Sequence, residues 1–224
     1  MILFMRAKLI SHSMPLDAEC GDNLLDNVAF CARVSNPSNQ NNSATAEKLV
    51  RYLMKNDHWS PLEMVSVCLE IETTRDIARQ ILRHRSFSFQ EFSQRYAVAD
   101  IGVHLRDARL QDKKNRQNSI EIDDDGDLTA LWKEKQAQLV TQAKETYDWA
   151  LQNGIAKEQA RAVLPEGNTM SRLYMNGTMR SWIHYIQLRS GNGTQKEHQQ
   201  VAIACAEAIK PVFPMIMEFI AESK

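Results

Sequence analysis

The chain has little of what disulfide-bonded, metal-bound or membrane proteins need. Its four cysteines lie far apart with no CxxC pair, which predicts free thiols in a reducing compartment. No apolar run approaches the roughly 18 residues of a membrane span, and the apolar start at residues 1–5 is too short for a signal-peptide core. The six histidines show no metal-ligand spacing. We therefore expect a cytoplasmic protein (in the host cytoplasm if it is viral) that binds no metal.

Glycine and proline are also scarce, with 8 and 6 in 224 residues, and no charge sign dominates, since the net charge is −1. A hydrophobic content of 43% is typical of a globular chain with a sizeable core. The near-neutral balance argues against a protein that coats nucleic acid or an anionic membrane. Without repeats or a clear linker, we predict a single domain over residues 1–224, with a lobe boundary near residue 127 as the alternative.

The hydrophobic pattern predicts an α+β fold, with a mixed sheet packed against helices and a helix-rich C-terminal half. Strands are expected at residues 2–11, 63–74 and 169–175. Helical spacing of apolar residues predicts helices at 23–34, 45–55, 75–84, 128–152, 157–164, 178–188 and 195–210. The polar run 35–43 and the acidic run 121–127 are predicted to be loops, the latter solvated and without a role that we can name.

A cationic cluster stands out from this neutral background at residues 75–96, where five arginines and two acids give a local charge of +3. Arg75, Arg79 and Arg83 recur every four residues, so one helix face carries three guanidiniums. A guanidinium fork fits phosphate oxygens two at a time. A solvated helix face is the alternative, for Arg75 in particular. At residues 83–85, three adjacent basic side chains repel one another unless an anion compensates them.

The segment that follows, residues 86–96, alternates hydroxyl or polar side chains with aromatic ones. Hydroxyl groups donate to phosphate oxygens, and aromatic rings stack on planar rings. The segment therefore suggests part of a nucleotide pocket. A half-buried strand with its serines facing outward is the alternative.

This segment resembles the signature of the flavin-dependent thymidylate synthases, the ThyX family. Arginine, histidine and arginine at residues 83–85 are followed by Ser88 and Ser93, and Arg-Tyr at 95–96 ends the pattern. Gln90 stands where the family commonly has Asn. Other segments are similar to family blocks in the expected order, so that the resemblance covers roughly residues 28–205: 32–35, 58–63, 161–165 and 180–189.

The resemblance implies an enzyme that makes dTMP from dUMP. Methylenetetrahydrofolate would donate the carbon, NADPH would be the reductant through bound FAD, and no cysteine would attack the uracil ring. It also implies a homotetramer with shared active sites and no nucleic-acid or membrane partner. The chain has no GxGxxG after a strand, which fits a cofactor held outside a Rossmann crevice.

The resemblance also implies roles for individual residues. Arg189 and Ser93 are the expected catalytic residues, because a guanidinium beside the uracil edge makes C5 a better nucleophile. The expected dUMP contacts are Gln80, Arg83, Glu91, Ser93, Arg95, Arg161 and Arg189. The expected FAD contacts are Ser35, His58, Ser60, Glu63, Arg83, His84, Arg85, Gln90, Arg180 and His184, with His84 and Arg85 offering positive charge.

Simpler interpretations remain open for three of these residues. Glu91 would then form only a salt bridge within its own loop, Gln80 would be an exposed helix side chain, and His184 would be structural. Two other functions also remain open. One is a nucleotide- or RNA-binding module that uses the arginine and aromatic segment, although the neutral charge weighs against it. The other is a flavin reductase without the methylation step.

Overall fold

A four-stranded sheet lies at the centre of the computed structural model, which describes residues 5–100, 102–122 and 126–221. Its strands run in the order β1-β2-β6-β3, and a separate hairpin pairs β4 with β5. Every ladder between these strands is antiparallel. The α+β class is confirmed, whereas the expected mixed sheet is wrong. The strands are β1 (Arg6–His12), β2 (Ser66–Thr74), β3 (Phe87–Glu91), β4 (Arg109–Gln111), β5 (Ser119–Glu121) and β6 (Met170–Thr178).

All seven predicted helices are confirmed, with ends that shift by a few residues. Only part of the predicted helix 157–164 is α-helical, because after one α-helical turn it continues as a 3-10 turn at Arg161–Val163. The C-terminal half is helix-rich, as expected. The helices are α1 (Leu24–Ala32), α2 (Ala46–Lys55), α3 (Arg75–Ile81), α4 (Gly126–Gln152), α5 (Lys157–Ala160), α6 (Met179–Arg189) and α7 (Lys196–Ile209).

Several local expectations need correction. Residues 87–91 form a strand with Phe87 buried and Ser88 exposed, so the alternative of a half-buried strand is right there. The hairpin of β4 and β5 was not predicted. The acidic run is not wholly a loop, since it begins with the last residue of β5 and ends within the first turn of α4. Its residues 123–125, like residues 1–4 of the first predicted strand, lie outside the described residues.

Helices α6 and α7 cover one face of the sheet. Alternate residues of β2, namely Val67, Leu69 and Ile71, point into this interface and are fully buried. The indole of Trp182 in α6 donates a hydrogen bond to the Val67 carbonyl oxygen at 2.9 Å. Because an indole N–H buried without a partner is costly, this bond fixes α6 on the sheet and with it Arg189 at the end of the helix.

A glycine sets the position of the signature segment on the sheet. Gly177 in β6 pairs with Phe87 in β3, and a Cβ at position 177 would lie 2.3 Å from Cδ1 of the Phe87 ring. Only the absence of a side chain lets the Phe87 ring lie across β6. The ring packs edge-on against Trp182, with centroids 4.9 Å apart.

The long helix α4 packs through Tyr147 and Ala150 against Ala160 of α5, in a small cluster apart from the main core. Its two tryptophans, Trp132 and Trp149, remain exposed at 46% and 58%. In the described part of the chain, no helix is both long and apolar enough to cross a bilayer.

Candidate active site

The first arginine of the cationic cluster is buried. Arg75 is 8% exposed; its Nη1 lies 3.4 Å from Glu91 Oε1, and its Nε lies 3.6 Å from Glu166 Oε1. The Ser171 hydroxyl donates to the same Glu91 oxygen at 2.8 Å. A solvated position for Arg75 is therefore wrong, and the ion pair of Glu91 reaches outside its own segment.

An open pocket lies beside these pairs. Arg79 pairs with Glu166 through both Nε and Nη2, the latter at 2.6 Å. The pocket has a volume of about 300 Å³, and we call it the arginine pocket. It is lined by Arg75, Arg79, Gln94, Glu158, Arg161, Ala162, Leu164 and Glu166.

The signature segment reaches this pocket through Gln94, which is buried. On either side of it, the Ser93 hydroxyl oxygen accepts the Arg95 backbone N–H at 3.4 Å, and Arg95 Nε lies 3.7 Å from Glu158 Oε2. Arg161 has no ion pair with any described residue, so its guanidinium is available to an anion. Gln94 and Arg161 thus line one pocket, whereas Ser93 and Arg95 do not line it and Arg95 reaches it only through its contact with Glu158.

Arg83 and Arg85 are placed differently. Both are exposed on the turn after α3, and neither has an ion pair within the described ranges. Neither lines the arginine pocket. The structure therefore leaves these two cations facing solvent and does not join Arg83 to the other expected phosphate ligands.

Between them, His84 is half-buried and faces Arg189. The Arg189 Nε–H donates to His84 Nε2 at 2.9 Å, so that nitrogen carries no proton. Burial, followed by the Arg189 charge, lowers the pKa of His84 to about 4. His84 is therefore neutral near pH 7, and the expectation that it offers positive charge is wrong.

A second pocket, the histidine pocket, opens next to His84. Its volume is about 380 Å³. Beside it, the His184 ring lies 5.4 Å from Trp59, and Arg180 Nη1 donates to Glu63 Oε1 at 2.5 Å. The pocket is lined by His84, Ser86, Ser181, His184, Tyr185, Gln187 and Leu188.

Two sequence blocks that are distant along the chain, residues 58–63 and α6, thus meet beside this pocket, although no residue of 58–63 lines it. His184 is exposed on the pocket wall, so it is not a core histidine. The other expected FAD contacts are exposed and line neither the histidine pocket nor the arginine pocket: Ser35, His58, Ser60 and Gln90.

Gln80 is half-buried, so an exposed helix side chain is the wrong interpretation. Its Nε2 donates to Gln195 Oε1 at 2.9 Å, and its Oε1 lies 3.2 Å from Nδ1 of the buried His198. On the other side of that imidazole, Nε2 lies 3.1 Å from the Tyr185 hydroxyl. Gln80 is therefore held by Gln195 and by His198 of α7, and His198 is held in turn by Tyr185 of α6.

Sequence reasoning assigned no role to Tyr185, Gln195 or His198. A signal for His198 was present, because Val201, Ala202 and Cys205 follow it at helical spacing on the buried face of α7. A histidine on such a face is buried and needs polar partners. The identity of those partners depends on α3 and α6, which no local pattern specifies.

The cysteines are all free thiols. Cys205 is fully buried, and burial raises its pKa far above the ordinary value. Burial also raises the pKa of Cys31 and Cys68. None of the four lines the arginine pocket or the histidine pocket. Across the described ranges, no group of three or more His, Cys, Asp or Glu side chains is placed to hold a metal ion.

Known proteins match both the sequence and this fold. A family model described as thymidylate synthase complementing protein matches residues 20–215. A probable flavin-dependent thymidylate synthase of Paramecium bursaria Chlorella virus 1 is 49% identical over 212 residues, which are 95% of this chain and 97% of that protein. A flavin-dependent thymidylate synthase of Synechocystis is 49% identical over 190 residues, which are 84% and 86% of the two chains.

A solved structure extends the comparison to the fold. The UMP/dUMP methylase PolB from Streptomyces cacaoi, bound with 5-Br UMP, has a TM-score of 0.79 to this chain at 26% identity. The match covers 96% of this chain and 92% of that one. Sequence and fold lead to the same conclusion: the chain belongs to the flavin-dependent thymidylate synthase family.

Proposed function

We propose that this chain catalyses the reductive methylation of dUMP to dTMP. The observation that carries the proposal is the convergence of the signature segment and Arg161 on the arginine pocket, where Arg161 has no ion pair with a described residue. Two relatives are named flavin-dependent thymidylate synthases. The structural neighbour is named as a UMP/dUMP methylase and holds a 5-bromo uridine nucleotide. These names support a uridine monophosphate as substrate.

The substrate phosphate would bind at the arginine pocket. Arg161 supplies a guanidinium fork, and Arg95 a second one that its long 3.7 Å contact with Glu158 leaves free to move. The Ser93 hydroxyl adds a neutral donor. Arg75 and Arg79, whose charges are balanced by Glu91 and Glu166, form part of the pocket wall. Arg83 does not line this pocket and is given no phosphate contact within one subunit.

Arg189 is the proposed catalytic cation. Its Nε is held by the neutral His84 imidazole, so the direction of the guanidinium is fixed while the positive charge is not cancelled. Its two terminal nitrogens have no hydrogen-bond partner among the described residues and can face the uracil ring. A fixed cation beside the ring would stabilise its N3-deprotonated, enolate-like form, and the negative charge of that form makes C5 a better nucleophile.

A cysteine nucleophile is not part of this proposal. The raised pKa values of Cys31, Cys68 and Cys205 keep these side chains as thiols near pH 7, and a thiol is a poor nucleophile compared with a thiolate. Activation of the ring is therefore assigned to Arg189 rather than to covalent attack.

The residues around the histidine pocket suit FAD. The exposed His184 offers a ring face and a hydrogen-bonding imidazole, while Arg180 and the exposed Arg85 supply guanidiniums for a diphosphate. When bound, FAD would supply the hydride, drawn from NADPH, that converts the methylene carbon of methylenetetrahydrofolate into a methyl group. The chain's own residues would hold the ring against His184 and exclude water there.

A homotetramer with shared active sites is also part of the proposal. Large apolar side chains remain exposed along α4, among them Leu139 at 56% and Trp149 at 58%. Exposed apolar surface of this kind is typical of subunit interfaces. Light scattering of the eluting protein on a sizing column would give four chain masses; a monomer would refute this part.

Release of tritium from [5-³H]dUMP tests the proposed function. We expect release by the FAD-loaded chain only when methylenetetrahydrofolate and NADPH are both present, because the C5 hydrogen leaves after the carbon has been attached. Reactions without folate are the matched control. A chain that binds FAD and dUMP but releases no tritium under these conditions would contradict the proposal.

A further inference from the structure

A series of hydrogen-bonded side chains connects α6 with the hairpin of β4 and β5. The bonds described above join Tyr185, His198, Gln80 and Gln195, and the series continues to Glu197, whose Oε2 accepts the Gln195 Nε2–H at 2.9 Å. Arg109 of β4 then donates to Glu197 Oε1 at 2.6 Å. We call this series of side chains the relay; in order, its members are Tyr185, His198, Gln80, Gln195, Glu197 and Arg109.

The ionisation state of Glu197 determines which partner donates in each hydrogen bond of the relay. Burial opposes ionisation of Glu197, but its bonds to Arg109 and to its own backbone N–H outweigh burial and lower its pKa. Glu197 is therefore an ionised carboxylate, which only accepts hydrogen bonds. Gln195 must turn its amino group to Glu197, and its carbonyl oxygen then faces Gln80.

The same logic continues to the other end. Gln80 must turn its amino group to Gln195 and its carbonyl oxygen to His198, so Nδ1 of His198 has to carry a proton. Burial, followed by the charge of Arg189 and by His84, lowers the pKa of His198 to about 3, so this imidazole is neutral and has one N–H only. Its Nε2 then accepts from the Tyr185 hydroxyl.

We propose that Glu197 and His198 are positioning residues that fix the orientation of the Gln80 carboxamide toward dUMP. The inference rests on the proposed function and on the dUMP contact that the family resemblance implies for Gln80. With one amide hydrogen and one carbonyl lone pair held by the relay, the second hydrogen and the second lone pair remain for a ligand. A uracil edge has donors and acceptors at fixed places, so it matches one orientation of the amide and opposes the reverse.

Two variants of His198 distinguish a role in orienting Gln80 from a role in filling the protein interior. In His198→Asn, the side-chain amide can donate to Gln80 in place of Nδ1–H, while His198→Leu fills the space without a donor. We expect the Leu variant to raise the dissociation constant for dUMP about tenfold, the effect of one lost hydrogen bond. The Asn variant should bind dUMP within about threefold of the wild type.

The measurement is calorimetric titration of dUMP into the full, FAD-loaded chain. Flavin absorbance reports whether each variant retains its cofactor, and we expect equal retention. Wild-type affinity in His198→Leu, or equal weakening in the Asn and Leu variants, would overturn the positioning role. A wild-type chain that binds no dUMP would instead refute the proposed function itself.

The tautomer of His198 gives a second test that does not depend on dUMP. In the chain labelled with ¹⁵N-histidine, the resonance that disappears in His198→Asn belongs to His198. We expect a neutral ring protonated at Nδ1 at pH 7, and a mixture of tautomers in Glu197→Gln, where a carboxamide no longer fixes the direction of the relay. A ring protonated at Nε2 in the wild type would overturn the inference.

Discussion

Acid should destabilise this chain through two histidines that the fold keeps neutral. The pKa is lowered to about 4 for His84 and to about 3 for His198, by burial first and then by the charge of Arg189. An unfolded histidine takes up a proton near pH 6.5. The stability that these groups contribute is therefore complete above pH 6.5 and is lost as the pH falls from there toward 4 and 3.

The size of the loss between pH 7 and pH 5 follows from these values. Over this range His198 takes up a proton in the unfolded chain but stays neutral in the folded one. This difference lowers the free energy of unfolding by about 2 kcal/mol. His84 is only about half-buried, so solvent screening reduces its share to about 1 kcal/mol. Burial and Arg106 lower the pKa of His104 as well, which adds a loss of the same sign.

Urea unfolding of the full chain at pH 7 and pH 5 measures this loss. We expect His198→Asn to lose about 2 kcal/mol less than the wild type between the two pH values. His58→Asn, at an exposed histidine, is the control and should behave as the wild type does. Carboxylates with lowered pKa values, such as Glu166, lose their stabilising effect only below about pH 4.5. An unchanged loss in His198→Asn would refute the reasoning.

Three further predictions follow from the described contacts. Replacement of Arg161 by Gln should raise the dissociation constant for dUMP about tenfold in calorimetry, while the exposed Arg172→Gln leaves it unchanged. In Gly177→Ala, the new Cβ collides with Phe87, so urea unfolding should show a loss of about 1–3 kcal/mol; no loss would mean that the ring moves freely. Arg189→Gln should lower kcat for dTMP formation about 10²- to 10³-fold, and an unchanged kcat in steady-state assays would remove Arg189 from catalysis.

The helices could be predicted from the sequence because their signals are local. Apolar residues at helical spacing define α6 and α7 within a few residues of their observed ends. Strand β3 was open to two interpretations, because burial of Phe87 depends on Gly177 in a strand far along the chain. The short hairpin of β4 and β5 gives only three residues per strand, too few for a periodic pattern.

The candidate site also contains residues that could be predicted from the sequence and residues that could not. Residues in contiguous motifs, such as Ser93 and Arg95, could be named from the resemblance, and the residue between them, Gln94, lines the same pocket as Arg161. The charge of His84 could not be predicted, because it is set by burial and by Arg189 from another helix. The acidic partners Glu158 and Glu166 carry no sequence signal, since a glutamate is ordinary in any polar segment.

The most direct test of the central claim compares dTMP formed with NADPH consumed. In the FAD-loaded chain with dUMP and methylenetetrahydrofolate, mass spectrometry of the nucleotide and absorbance of NADPH give the two amounts in the same reaction. We expect one dTMP for each NADPH oxidised, and no dTMP when folate is left out. Oxidation of NADPH without any dTMP would show a flavin reductase and contradict the proposed synthase.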